Sequence, residues 1–242
     1  MRISFLIFSL LMTLLWGTAQ ATDAKLQDIL HRYKVTQSSA LHPEGLQTLI
    51  LKGTYQDDGK KIQITTIRKA PNKLRDEYEE DGIKTIIAFN GETGWQRREK
   101  GDSLSIRDYE AGDYDWLMEN ANFQTYLLRA FAGEPGITLR LLEDVEEGGR
   151  VMHVIVAASD SGMTIKYFLN RVSLYLERLD VLNPDGTLLK GTVFSHYRKI
   201  EGIPLAHQRK TTKATGEIQI HIWDTIEVNP FVYSFLFEKP KF

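Results

Sequence analysis

Two hydrophobic periods divide the chain. Between Ala24 and Val35, apolar residues recur at Leu26, Ile29, Leu30 and Tyr33, and this spacing predicts an amphipathic helix behind an Asp23 cap. From Leu46 onward the period is two. Ile62 and Ile64 alternate with Gln63 and Thr65, and Ile83, Thr85, Ile87 and Phe89 alternate with Lys84, Ile86 and Ala88. Turn chemistry separates these runs at Asp57-Asp58-Gly59, Asp81-Gly82, Asn90-Gly91 and Gly101-Asp102, residues that tolerate the backbone of tight hairpins. Later runs repeat the pattern: Val151 to Ala157, Ile165 to Leu169, Val172 to Glu177, Leu188 to Arg198, Leu205 to Lys213 and Glu217 to Val228, with a strong turn at Asn183-Pro184-Asp185-Gly186.

One helical patch, Asp113 to Phe131, interrupts this succession. On a helical wheel Trp116, Phe123, Tyr126, Leu127, Ala130 and Phe131 share a broad face, opposite Asn122, Thr125 and Arg129. Glu119 and Asn120 intrude on that face. The patch therefore reads as two short helices, the second capped by Asn122 and stopped by Gly133, Pro135 and Gly136. The expected fold is mainly β with helices: about eleven antiparallel strands curling into a barrel or sandwich, with the aromatic helical face buried against the sheet as core or lid. If helices fill such a container only partly, an apolar cavity remains.

The first residues change the compartment. Arg2, the apolar run Ile3 to Trp16 and Ala19-Gln20-Ala21 have the layout of a secretory signal peptide spanning residues 1–21, and the run is short for a retained membrane anchor. No Pro- or Gly-rich linker follows, so residues 22–242 are expected to form a single domain. The chain has no cysteine, which excludes a lipid-modified cysteine, a thiol nucleophile and Cys-based zinc sites. Its net charge of −2 is evenly interspersed, without the basic stripe of a nucleic-acid binder.

Catalytic signatures are missing. There is no G-x-S-x-G elbow, phosphate-cradling glycine loop or H-E-x-x-H, and the six histidines are scattered singly, so no catalytic residue, metal site or cofactor is assigned. His221, on a strand face with Gln219 and Trp223, reads as a wall residue. The acidic cluster Glu143, Asp144, Glu146, Glu147 ahead of Gly148-Gly149 reads as a hairpin. The candidates left are aromatic and apolar: Trp95, Trp116, Phe123, Tyr126, Leu127, Phe131 and Phe235, with Phe231, Tyr233 and Phe237, as walls of a lipid-accepting cavity or as core.

Ala70-Pro71-Asn72, Leu74-Arg75 and Phe89-Asn90-Gly91-Glu92-Thr93-Gly94-Trp95 follow one another in an order that resembles the LolA-like family of periplasmic lipoprotein carriers and sorting proteins. Leu169-Asn170-Arg171, the segment Tyr197 to Pro204, Val228-Asn229-Pro230 and Leu236 to Pro240 extend the resemblance over nearly all of the chain beyond Ala21. The resemblance implies an unclosed β-barrel whose helices cover a hydrophobic cavity for acyl chains. It implies a soluble periplasmic carrier without enzymatic activity, working between an inner-membrane transporter and an outer-membrane acceptor; no coiled-coil heptad or long exposed apolar helix calls for oligomerisation, so a monomer is expected. The alternative it leaves is a lipid-sensing or accessory module serving an envelope transporter or stress regulator. In the family an arginine directly before the strand proline tethers the lid. Here that position is Ala70, and strand alternation gives Arg68 the same facing, which makes Arg68 the candidate tether.

Overall fold

The computed structural model describes residues 24–42, 44–110, 117, 120–122, 124–160 and 162–241. The expected signal peptide, the Asp23 cap, Trp116, Phe123 and much of the first half of the helical patch lie outside them. A helix over residues 24–36 (α1) leads into β1 (Thr48–Asp57), β2 (Lys60–Lys69), β3 (Lys73–Glu80), β4 (Ile83–Phe89), β5 (Gly94–Lys100) and β6 (Ser103–Asp108). A short helix, α2 (Tyr126–Phe131), separates these from β7 (Ile137–Leu141), β8 (Val145–Glu147), β9 (Arg150–Ser159), β10 (Thr164–Asn170) and β11 (Leu176–Leu182). Three long strands complete the sheet: β12 (Leu188–Ile200), β13 (Ile203–Lys213) and β14 (Ile218–Val228).

The fourteen strands among the described residues belong to one antiparallel sheet in the order β6-β5-β4-β3-β2-β1-β14-β13-β12-β11-β10-β9-β7, with β8 paired to β9. The ends of this order are β6 and β7, so the sheet is an unclosed barrel with more strands than the eleven expected. The hairpin signals act as predicted at Asp58-Gly59 and Asp81-Gly82, where both residues take positive φ. A further such pair, Glu201-Gly202, turns β12 into β13. Val172 to Tyr175 does not extend a strand. Asn170 Oδ1 accepts from the backbone N–H of Val172 and Ser173, and Leu174 takes φ 57°, so a turn delays β11 until Leu176 and leaves Val172 exposed.

The helices mark the sheet's inner face. All four apolar residues of the α1 stripe are buried with Leu127 of α2 against Ile155, Ala157, Ile165, Tyr167 and Leu169 of β9 and β10. At the other end of the sheet, Leu117 and Ala121, in helical backbone, pack on Leu74, Ile87 and Phe89. Gly94 makes this approach possible, since a Cβ there would lie 2.3 Å from Leu117 Cδ1. Between these two clusters, Leu49, Leu51, Ile64, Trp223, Ile226 and Val228 line the middle of the inner face. The predicted cap of α2 shifts by three residues. Thr125, not Asn122, accepts from the Leu128 N–H, because Asn122 precedes the helical backbone by too many residues to reach the first turn.

After β14 the chain crosses the outer face of β1 to β5 as a strap, residues 229–237. Successive strands donate to its carbonyls: Thr48 Oγ1 to Pro230 O at 2.6 Å, Lys69 Nζ to Val232 O at 2.8 Å, Arg75 Nη1 to Leu236 O at 2.7 Å and Trp95 Nε1 to Phe237 O at 2.9 Å. Within the strap Val232 and Phe237 are buried, and Ala88, between Arg75 and Trp95, is buried beneath it.

Candidate functional site

The helices leave part of the inner face uncovered by side chains, and two neighbouring chambers lie there. The first, about 230 Å³, is lined on the sheet side by Leu46, Leu49, Leu51, Leu205, Trp223 and Ile226, and on the helix side by Tyr33, Gln37 and Thr125. Period-two alternation sends Leu49 and Leu51 to this face, and the register break at Lys52/Gly53 lets β14 present Trp223 and then Ile226 on the same side. Only glycine fits at that break, because a Cβ on Gly53 would sit 1.9 Å from the Ile222 carbonyl oxygen. Tyr33 joins the two helices under the chamber, and its burial raises the phenol to about 12 while a bond to Thr125 opposes the rise.

The second chamber, about 360 Å³, has a mixed lining that carries more charged and polar groups than the first. Tyr55, Asp76, Lys190, Lys213, Gln219 and His221 line it together with Ile62, Ile64 and Ile87. Arg209 lines both chambers and so stands between them. Burial pulls the Arg68 guanidinium down to about 10, with repulsion from Arg209 adding to the fall and Asp76 opposing it. Burial likewise raises the Asp76 carboxyl, while the Thr66 hydroxyl, which donates to it at 2.5 Å, and the two guanidiniums pull it back. His221 stacks obliquely between Tyr55 and Trp223, at 4.7 and 5.4 Å, and burial with the nearby Arg209 charge pushes it down to about 2. It is therefore a neutral wall residue at physiological pH.

Of the residues singled out from the sequence, Arg68 lines the apolar chamber, and its Nη2 donates to the backbone carbonyl of Asn122. Tyr126, Leu127 and Phe131 sit beside the chamber in the core that anchors α2. Leu127 is fully buried, and Tyr126 donates its backbone N–H to Tyr167 Oη at 3.3 Å. Phe131 faces a smaller groove of about 150 Å³ between the helices, with Lys34 Nζ 5.8 Å from its ring centre. Trp95 and Phe235 are corrections. Residue 95 pairs with Ala88 and Ala88 with Arg75, which puts all three on the outer face, where the strap carbonyl takes the indole N–H. Phe235 belongs to the strap with Phe231, Tyr233 and Phe237, and it is exposed to solvent. Sequence reading missed the aliphatic wall and Arg209. The signal for the first was strand parity counted from Leu49. For Arg209 there was none, because what sets its environment is pairing between strands far apart in the chain.

Comparison with known proteins turns on this architecture, since no family model and no curated protein sequence matches. A domain from Vibrio parahaemolyticus described as an outer-membrane lipoprotein-sorting protein superposes with a TM-score of 0.63 at 11% identity, covering 86% of this chain and 93% of that one. A LolA superfamily protein from Nitrosomonas europaea superposes with a TM-score of 0.61 at 12% identity, over 88% and 97% of the two chains. The fold is that of the LolA superfamily. A DUF1329 family protein from Desulfovibrio piger shares it, with a TM-score of 0.62 at 12% identity over 89% and 96%. At these identities the likeness concerns the LolA-like fold alone, and this chain is a divergent example of it. Among the described residues there is no group of His, Asp or Glu side chains able to hold a metal ion, and no helix long and apolar enough to cross a membrane.

Proposed function

We propose that this LolA-like chain is a non-enzymatic carrier that holds an acyl chain of a lipid or lipoprotein between its helices and its sheet and passes it toward the outer membrane. The observation that carries the reading is the paired chamber. An aliphatic wall of Leu46, Leu49, Leu51, Leu205 and Ile226 abuts a more polar space across one arginine, which matches an amphiphile with its chain in the first chamber and its polar end in the second. Burial of a hydrocarbon chain contributes about 0.8 kcal/mol per CH₂, so such a site needs apolar walls and a cover that can part, and no reacting group. The Arg68 bond to Asn122 supplies a latch for that cover, in the role the family gives to the arginine that Ala70 replaces.

In this reading residues 1–21 are removed on export and residues 22–242 act as one soluble periplasmic domain, receiving cargo from an inner-membrane transporter and delivering it to an outer-membrane acceptor. The support is the signal-like N-terminus and the fold shared with a lipoprotein-sorting domain and a LolA superfamily protein. The deciding experiment is mass spectrometry of lipid extracted from protein purified from the periplasm, with uptake of a fluorescent fatty acid as its partner measurement. A bound acyl species, with uptake lost in Leu49→Asp and Ile226→Asp, is expected. Empty protein that takes up no probe overturns the carrier reading and moves the function to a protein-binding accessory module.

A further inference from the structure

The strap exposes what a fold normally hides. Phe231, Tyr233 and Phe235 are 81, 57 and 65% exposed, whereas Val232 between the first two and Phe237 beyond them are buried. The three rings touch in series, Phe231 edge-on to Tyr233 at 4.7 Å and Tyr233 stacked on Phe235 at 5.3 Å, which makes one continuous aromatic rib. The rib stands on a fixed base, because the outer faces of β1, β2, β3 and β5 each hold one strap carbonyl. Stability alone does not account for it. Rings turned toward solvent leave apolar area wet that burial would otherwise make stabilising, and a contiguous exposed patch of this kind marks a contact surface.

We propose that the strap is a membrane-docking surface that seats the Phe231-Tyr233-Phe235 rib at the boundary between headgroups and acyl chains of an anionic bilayer. Aromatic rings, and tyrosine in particular with its polar tip, settle at that depth. The charges around the rib fit an anionic surface. Lys69 bonds Val232 O and Ser234 Oγ, Lys73 lies over the Phe237 ring, Arg75 holds Leu236 O, and Lys239 and Lys241 follow on the chain. Lys73, Arg75 and Lys239 are ion-paired with Glu238, Glu77 and Asp108, so the positive excess beside the rib comes from Lys69 and Lys241, in a chain whose overall charge is −2. An aromatic rib with a small positive excess beside it fits interfacial attachment, with the rings supplying depth and most of the binding and the lysines a modest attraction. The proposal uses none of the residues that line the chambers.

The test compares the chain, as exported by a Gram-negative host, with its F231S/Y233S/F235S variant in flotation with phosphatidylcholine vesicles containing a minority of phosphatidylglycerol. Binding is expected to fall by about tenfold or more in the variant. K239Q/K241Q should lose only a few-fold, and only at low salt, because screening removes the lysine contribution. An unchanged melting temperature verifies that the variant is folded, and Y233W should show a blue-shifted emission on vesicles that its lipid-free form lacks. Unchanged uptake of a soluble fatty-acid probe by the triple variant separates the strap from the cavity. Wild-type protein that does not float, or a triple variant that floats as well as wild type, overturns the proposal. Binding to vesicles that carry membrane proteins but not to pure lipid overturns it in favour of a protein partner.

Discussion

Replacing Arg68 with methionine tests whether the helical cover is latched. The guanidinium is buried on β2, donates to the Asn122 carbonyl next to the helical residues Leu117 and Ala121, and stands near Asp76 and Arg209. A hydrogen bond from a charged donor contributes about 1.5–3 kcal/mol. Methionine keeps the length and apolar bulk of the side chain, so the closed form should lose about that amount. If opening must break this bond, the open fraction rises by about ten- to one-hundred-and-fifty-fold, at 1.4 kcal/mol per factor of ten. The assay is stopped-flow uptake of a fluorescent fatty acid, read beside thermal unfolding, with Arg68→Lys as the control that retains a charge near Asp76. Faster uptake with a modest fall in melting temperature is expected. A lower melting temperature with an unchanged uptake rate would refute the latch and reduce Arg68 to a structural residue.

Other consequences can be measured directly. Gly94→Ala places a Cβ 2.3 Å from Leu117 Cδ1 and should destabilise the protein by about 1–3 kcal/mol in denaturant unfolding. Leu127→Ala empties a fully buried position where both helices meet the sheet, with an expected loss of about 2–5 kcal/mol. Trp95→Phe removes the donor to the Phe237 carbonyl and should cost about 1–3 kcal/mol, with faster amide exchange or proteolysis in the strap as its local signature. His221 is held neutral, with a folded value near 2 against an ordinary 6.5, so below pH 6.5 the unfolded chain binds a proton that the folded chain does not. Stability should therefore fall on acidification from pH 6.5 toward 4 by at most about 1.4 kcal/mol per unit. The difference between wild type and His221→Phe isolates that slope, because the carboxylates common to both cancel, and parallel curves would refute it.

Local chemistry made much of the fold readable. The α1 stripe, the alternation of β2 and β4 and the Asp-Gly hairpins are decided within a few residues, and the structure follows them. The count of strands came out low because Val145–Glu147 is too short, and Ser103–Asp108 too exposed, to carry a hydrophobic signature. The turn at Val172 to Tyr175 looked like strand because Val172 and Leu174 preserve the alternation while Asn170 captures the backbone. The site was less legible. Aromatic content drew attention to Trp95 and Phe235, yet which face a ring occupies depends on parity carried through successive hairpins, and parity puts Trp95 under the strap. The more polar chamber joins Asp76 of β3 with Arg209 of β13 and His221 of β14, residues whose proximity follows from sheet order and from no local motif.

That sheet order also bears on how the chain acquires its structure. The centre of the sheet is the pairing of β1 with β14, in which Leu49 meets Val228 across most of the sequence, while every other neighbouring pair inside each half is formed by strands close in sequence. Each half can therefore zip up from its own hairpins as it emerges during synthesis, but the seam between them waits for nearly the last strand. Until then β1 offers an unpaired edge, and Leu49, Leu51 and Ile226, the walls of the apolar chamber, stay open to water. High contact order of this kind slows folding and lengthens the interval in which strand edges can pair wrongly. The chamber is thus among the last parts of the molecule to exist, and a chain truncated before β14 would present two half-sheets with no place for a ligand.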